Sequence, residues 1–106
     1  MLVPRATEHT TFDTWRLVFR STALTASAYV LSVNRPAPEM GTPLGGPSLC
    51  VAPDGRVLVE TLDAVAVVTL DRAAVVAARR DYPGYLAVRS DVYASAFLAA
   101  VRPRQE

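Results

Sequence analysis

The stretch Leu49-Cys50-Val51-Ala52-Pro53-Asp54-Gly55-Arg56-Val57-Leu58-Val59-Glu60 carries the clearest structural signal in this sequence. Two apolar runs flank Pro53-Asp54-Gly55, whose residue types favour a tight reversal of the chain. The pattern predicts a β-hairpin with strands over residues 49–52 and 56–60.

Upstream of the hairpin, the spacing of apolar residues predicts a helix that begins near Phe12, where Thr10, Thr11 and Asp13 are all capable N-caps. Residues at three- and four-residue spacing form one apolar face, which we expect to be buried. This stripe contains Trp15, Val18, Phe19, Thr22, Ala23 and Ala26. A buried strand is expected over Tyr29–Val33.

Composition also predicts the structure of the first residues and of the segment that precedes the hairpin. Met1-Leu2-Val3 has the composition of a strand that Pro4 cuts short. An apolar strand with no polar residues before it suggests a truncated domain. Residues 35–46 hold three prolines and three glycines, a composition that predicts a loop.

Downstream of the hairpin, Val65–Leu70 is expected to be another strand, and Asp71 to cap a helix that ends near Arg79-Arg80. A break is expected at Tyr82–Tyr85. Ser90 and Asp91 can cap a last helix, whose predicted apolar stripe contains Val92, Phe97, Leu98 and Val101. Alternation of strands and helices predicts mixed α/β layering.

Composition narrows the classes of function. The chain has 106 residues, 51% of them apolar, which predicts one folded domain or one piece of a larger domain. A net charge of +1 argues against an electrostatically driven nucleic-acid binder. No signal peptide is evident, and no apolar run approaches the roughly 20 residues of a membrane span. We therefore expect a cytoplasmic protein with neither nucleic-acid nor membrane partners.

Cys50 and His9 are the only cysteine and the only histidine. One cysteine excludes an internal disulfide, and one of each falls short of a usual zinc site, so we expect no metal and no cofactor. Cys50 could be a nucleophile activated by His9, but it has no adjacent base or glycine-rich elbow. We interpret it as a small core residue.

Six short sequence motifs occur here in the same order as in one known protein family. They are Trp15 opening its helix, Ala28–Arg35, Gly45-Gly46-Pro47-Ser48, Pro53-Asp54-Gly55, Val67–Asp71, and the close Arg89-Ser90-Asp91-Val92-Tyr93. Together they resemble the C-terminal portion of carbon–nitrogen hydrolases of the nitrilase superfamily. The resemblance covers residues 1–93, leaving 94–106 as a C-terminal helical tail.

The resemblance implies part of an α-β-β-α sandwich of the nitrilase type, without its N-terminal portion. Relatives use a glutamate base, a lysine that stabilises the oxyanion and a cysteine nucleophile to hydrolyse amides, nitriles or carbamoyl compounds. Those motifs precede Leu2 in the family order, and all eleven basic residues here are arginines. The resemblance therefore assigns no catalytic residue to this chain.

The resemblance also bears on binding and assembly. The segment at Arg5, Ala6 and Thr7 borders the substrate pocket in the resembling enzymes, so these residues are the candidate substrate-binding set. An amide or nitrile substrate would bind only if the missing N-terminal part completed the site.

Three hypotheses follow: a truncated hydrolase that is inactive alone, a non-catalytic assembly partner of a full-length homologue, and a small cysteine hydrolase that uses Cys50. An unpaired strand edge is expected to make the chain self-associate or bind such a homologue.

Overall fold

A computed structural model describes residues 1–35, 37–82 and 89–101, except for the side chain of Val101. These residues form a mixed α/β structure with one four-stranded sheet, three α-helices and a 3-10 turn at His9–Thr11. The strands are β1 (Leu2–Arg5), β2 (Val30–Asn34), β3 (Ser48–Val51) and β4 (Val57–Thr61). The helices are α1 (Phe12–Ala26), α2 (Arg72–Asp81) and α3 (Ser90–Val101).

The sheet has the order β1-β2-β3-β4, with β1 parallel to β2 and the remaining pairs antiparallel. The β3–β4 pair is the predicted hairpin. Its turn is closed by the Gly55 N–H, which donates to Ala52 O at 2.9 Å, and Gly55 has a φ of +82°. That left-handed conformation suits glycine because a side chain would be strained there. The prediction of a hairpin is confirmed.

Helix α1 covers one face of the sheet. Its buried residues are Phe12, Phe19 and Ala23, and the last two pack into a core with Val30, Leu49 and Val51. The helix ends at Ala26, and the C-cap Ser27 adopts a left-handed φ of 45°. The predicted start near Phe12 is confirmed.

The predicted apolar stripe of α1 was partly wrong. Trp15 and Val18 are 38% and 42% exposed, and Ala26 is also exposed. The buried line runs through Phe12, Phe19 and Ala23, which are seven and four residues apart, so it is rotated away from Trp15. The indole instead lies at the margin of the contact, stacked on Phe19 at a centroid distance of 6.0 Å.

Pro4 does not cut β1 short, contrary to our prediction. The Leu31 N–H donates to Met1 O at 3.0 Å, and Val3 pairs with Ser32. In a parallel ladder the backbone groups of alternate residues point to the neighbouring strand, so those of residues 1, 3 and 5 point to β2. The nitrogen of Pro4 faces the open edge, where it interrupts no hydrogen bond.

The prediction of a strand over Val65–Leu70, all of which the structure describes, was wrong. The segment is not assigned as a strand, although its composition favours one. A strand requires a backbone partner, and no described residue supplies one here. The segment instead passes over the sheet face opposite α1, where Ala66 and Val68 line a small cavity together with Cys50 and Val59.

Helices α2 and α3 were both predicted. The Asp71 carboxylate accepts the Ala73 N–H at 2.8 Å, which confirms the expected cap of α2. The stripe expected in α3 is not buried, because every described side chain of Ser90–Ala100 is exposed. Residues 83–85 of the predicted break and residues 102–106 of the predicted C-terminal tail lie outside the described residues. No helix in the described residues is long and apolar enough to cross a membrane.

Candidate functional site

The parallel pairing of β1 and β2 brings polar residues together at one edge of the sheet. Arg5 ends β1 and pairs with Asn34 at the end of β2, and Thr7 follows two residues after Arg5. We call this group the strand-end cluster; it comprises the side chains of Arg5, Thr7, Ser32 and Asn34 and the facing carbonyls of residues 45–47. Two of the three residues implicated by the family resemblance, Arg5 and Thr7, belong to it.

Arg5 donates hydrogen bonds from all three of its guanidinium nitrogens. Nε donates to Ser32 Oγ at 2.9 Å, Nη1 donates to Thr7 Oγ1 at 2.9 Å, and Nη2 donates to the carbonyl of Pro47. The charge lies 5.3 Å and 5.5 Å from the ring centroids of Phe12 and Phe19, within cation–π range. Burial lowers the pKa of Arg5 from its ordinary value. Arginine remains charged even so, and it cannot act as a proton donor here.

Asn34 holds the chain segments around β2 together. Its side chain is buried; Oδ1 accepts the Thr7 N–H at 3.1 Å, and Nδ2 donates to the carbonyl of Gly45. The Gly45 N–H in turn donates to Thr7 O at 3.0 Å. We had not singled out Asn34 as a site residue. Asparagine is disfavoured in strands, so its place after the apolar run of β2 was the available signal.

The cluster is satisfied by its own hydrogen bonds. Among the described residues, no buried side-chain nitrogen or oxygen lacks a partner. Ala6, the third residue implicated by the resemblance, is exposed and has no polar side-chain atom. The geometry therefore makes Arg5 and Asn34 residues that position the ends of β1 and β2 and the loop before β3.

Cys50 and His9 are not brought together. Cys50 lies between Leu49 and Val51, whose side chains face α1, so strand alternation directs its thiol to the other face. The residue is 4% exposed, and burial raises the pKa of the Cys50 thiol. His9 lies beside the loop, with Nδ1 3.2 Å from Pro43 O. A buried, protonated thiol without a base is a poor nucleophile.

A cavity of about 460 Å³ lies between the end of α1, the hairpin turn and α2. Two carboxylates border it, Asp54 and Asp81, and each is paired with an arginine. Arg56 Nε lies 2.6 Å from Asp54 Oδ2, and Arg80 Nε lies 2.7 Å from Asp81 Oδ1.

These pairings keep both carboxylates ionised. The pKa of Asp54 is lowered first by the hydrogen bond from the Arg56 backbone N–H, and the pKa of Asp81 is lowered by the Arg80 side chain. At neutral pH a carboxyl with a lowered pKa is ionised, so it has no proton to donate as a general acid, and its carboxylate is a weak base. Among the described residues that line the cavity, these two carboxylates therefore do not form an acid–base pair.

A second depression, of about 270 Å³, opens beside the strand-end cluster. Asn34, Ser48 and Thr61 line it, and Asp63 is the one acidic residue among the described lining residues. Within residues 1–35, 37–82 and 89–101, no group of three or more histidine, cysteine, aspartate or glutamate side chains is placed to hold a metal ion.

No model of a known protein family matches this sequence, and no curated protein matches it significantly.

Proposed function

We propose that this chain corresponds to the C-terminal part of a carbon–nitrogen hydrolase of the nitrilase type, and that its 106 residues hydrolyse no C–N bond on their own. The expected lack of activity is supported by the composition of the chain. The family mechanism that the resemblance implies needs a lysine at the oxyanion, and this chain has none. Arginine cannot take over by adjusting its pKa as a buried lysine can.

The order of elements supports the relationship to the carbon–nitrogen hydrolases. The elements from Leu2 to Thr61 follow the order that the resemblance implies. They are a strand, a helix with aromatic residues in its first turns, a second strand and a hairpin. The outer sheet face, which we define as the face opposite α1, carries exposed Leu2 and Val33. A sandwich would cover such a face with a second sheet.

The surroundings of the polar residues support the absence of activity. Cys50 is buried with a raised pKa, and His9 lies in a different part of the structure. The side chains of Arg5 and Thr7 are hydrogen-bonded to Ser32, to Pro47 and to each other. An amide or nitrile substrate would therefore need residues that this chain does not contain.

The test is a hydrolysis assay of the purified chain with amides, nitriles and carbamoyl compounds, run beside an intact amidase of the family as positive control. Ammonia release at the level of buffer alone is expected, and it should be the same for Cys50→Ser. Turnover that disappears in Cys50→Ser would instead favour the small cysteine hydrolase and overturn the proposal.

A second candidate function is non-catalytic assembly with a full-length homologue. It is favoured by exposed apolar side chains outside α1, including Leu2, Val33, Val65 and Val67, which are 65–89% exposed. Leu2 and Val33 share the outer sheet face, and exposed apolar side chains that share a face are typical of interaction surfaces. Co-expression with an intact homologue, followed by light scattering on a sizing column, should give a mixed complex of defined mass. Separate elution of the two proteins would exclude this candidate.

A further inference from the structure

One side chain joins helix α2 to the body of the structure. The hydroxyl of Tyr29 accepts the Asp71 N–H at 3.0 Å and donates to Asp71 O at 3.2 Å, across 42 positions of sequence. Among the described residues, no other hydrogen bond or ion pair joins residues 64–101 to residues 1–63. We call the contact between Tyr29 and Asp71 the latch.

Burial adds little to the attachment of α2. None of its residues is buried. The side of the helix that lines the cavity of about 460 Å³ carries three alanines, Ala74, Ala77 and Ala78, and Pro53 and Leu58 line the same cavity from the hairpin. A methyl group reaches only a short way from the helix, so the cavity separates the two walls and the contacts that would hold them together are missing.

The latch lies at one end of the helix. Asp71 is the N-cap of α2, and the ten residues that follow it form a rod about 15 Å long. At the other end, the Asp81 carboxylate pairs with Arg80 of the same helix, and the Tyr82 N–H donates to Ala78 O. Neither of these contacts reaches the hairpin or α1. The helix is therefore fixed at its first residue and attached to the hairpin by no described polar contact at its last.

We propose that α2 is a hinged lid over this cavity and that the latch is its pivot. Outward rotation about the latch opens the cavity, and inward rotation brings the alanine side of the helix towards Pro53 and Leu58. Segments with few buried contacts open at a lower free energy than the core of the same protein, which is the property that a lid requires. This inference makes no use of the proposed hydrolase relationship.

The latch can be removed without changing the lid itself. Its partners on α2 are backbone atoms of Asp71, so Tyr29→Phe deletes only the hydroxyl and leaves the carboxylate of Asp71 to cap the helix. Tyr82→Phe is the matched control, because it deletes the hydroxyl of the other tyrosine that lines the cavity. Circular dichroism checks that both variants keep their secondary structure.

The first experiment measures the position of the lid. In a Cys50→Ser background, nitroxides are placed at Ser21→Cys on α1 and Val76→Cys on α2, two exposed positions, and pulsed dipolar spectroscopy gives the distribution of distances between them. Tyr29→Phe should at least double the width of this distribution, and Tyr82→Phe should leave it unchanged. Equal widths with and without the Tyr29 hydroxyl would overturn the proposal.

The second experiment tests the lid in the unsubstituted chain by amide hydrogen exchange. The amides of residues 76–81 should exchange at least 100-fold faster than those of Val30 and Val51, which are fully buried in the core. Equal protection would show that α2 opens only when the whole fold opens, which would refute a lid. Rapid exchange in α2 together with a distance distribution that Tyr29→Phe does not change would assign the exchange to melting of the helix in place, and would refute it as well.

Discussion

The backbone N–H of Thr7 donates to Oδ1 of Asn34 at 3.1 Å, which ties the chain that leaves β1 to the end of β2. The two residues are 27 positions apart. They meet because the parallel pairing of β1 and β2 aligns the carboxyl ends of both strands. The same asparagine donates to Gly45 O, so one buried amide fixes three segments of chain.

Asn34→Ala should destabilise the fold by about 2–3 kcal/mol, because it leaves the Thr7 N–H and the Gly45 carbonyl without their side-chain partner. Denaturant titration followed by Trp15 fluorescence measures the change. Asn34→Asp is the matched variant: it keeps the acceptor for Thr7 but loses the donor to Gly45, and it should also destabilise. A loss below about 0.5 kcal/mol for Asn34→Ala would show that the amide is dispensable.

Phe19→Ala and Trp15→Ala should differ sharply although both remove an aromatic ring from α1. Phe19 is 4% exposed and belongs to the core, so its loss should cost about 3–5 kcal/mol. Trp15 is 38% exposed and stacks on Phe19, so about 1 kcal/mol is expected. Chemical denaturation followed by circular dichroism compares the two. Equal losses would contradict the position of the buried line on α1.

Cys50 should react slowly with a thiol reagent at neutral pH in the folded protein and rapidly after denaturation, because it is buried and its pKa is raised. The stability linked to this thiol is fully present below its ordinary pKa of 9.0 and is lost as the pH rises through the higher folded value. The stability difference between the unsubstituted chain and Cys50→Ala should therefore shrink in alkaline solution. A fast reaction in the native state would place the thiol at the surface.

Pro4→Thr should promote association through the edge of β1, because it restores an N–H on the side that faces away from β2. Light scattering should then detect species larger than those of the unsubstituted chain. Pro38→Thr, in the exposed loop before β3, is the control and should leave the size distribution unchanged. Equal distributions for Pro4→Thr and the unsubstituted chain would show that Pro4 does not protect this edge.

Several elements were predictable because their signals are local. The hairpin depends on a turn closed between Ala52 and Gly55, and the start of α2 depends on Asp71 accepting the N–H of a residue two positions on. In both, the hydrogen-bonding partners lie within a few residues of each other, so the types and spacing of neighbouring residues determine the outcome. The start of α1 near Phe12 likewise followed from apolar spacing.

The candidate site was predictable only in part. The family resemblance drew attention to Arg5 and Thr7, but it did not show that their hydrogen bonds go to Ser32 and Pro47 or to each other. Asn34 was missed as a site residue because its partners are 11 and 27 positions away. Contacts between residues far apart in sequence depend on strand order, which local propensity does not encode.

The sequence by itself determined where the chain turns, where helices α1 and α2 begin, and that no lysine-dependent mechanism operates within these 106 residues. Only the tertiary structure decided which line of α1 is buried, and that Pro4 lies within β1. It also decided that Val65–Leu70, with the composition of a strand, has no strand partner among the described residues. The physical reason is that a turn or a cap is completed by its neighbours in sequence, whereas a buried face or a strand exists only when a distant segment covers it or pairs with it.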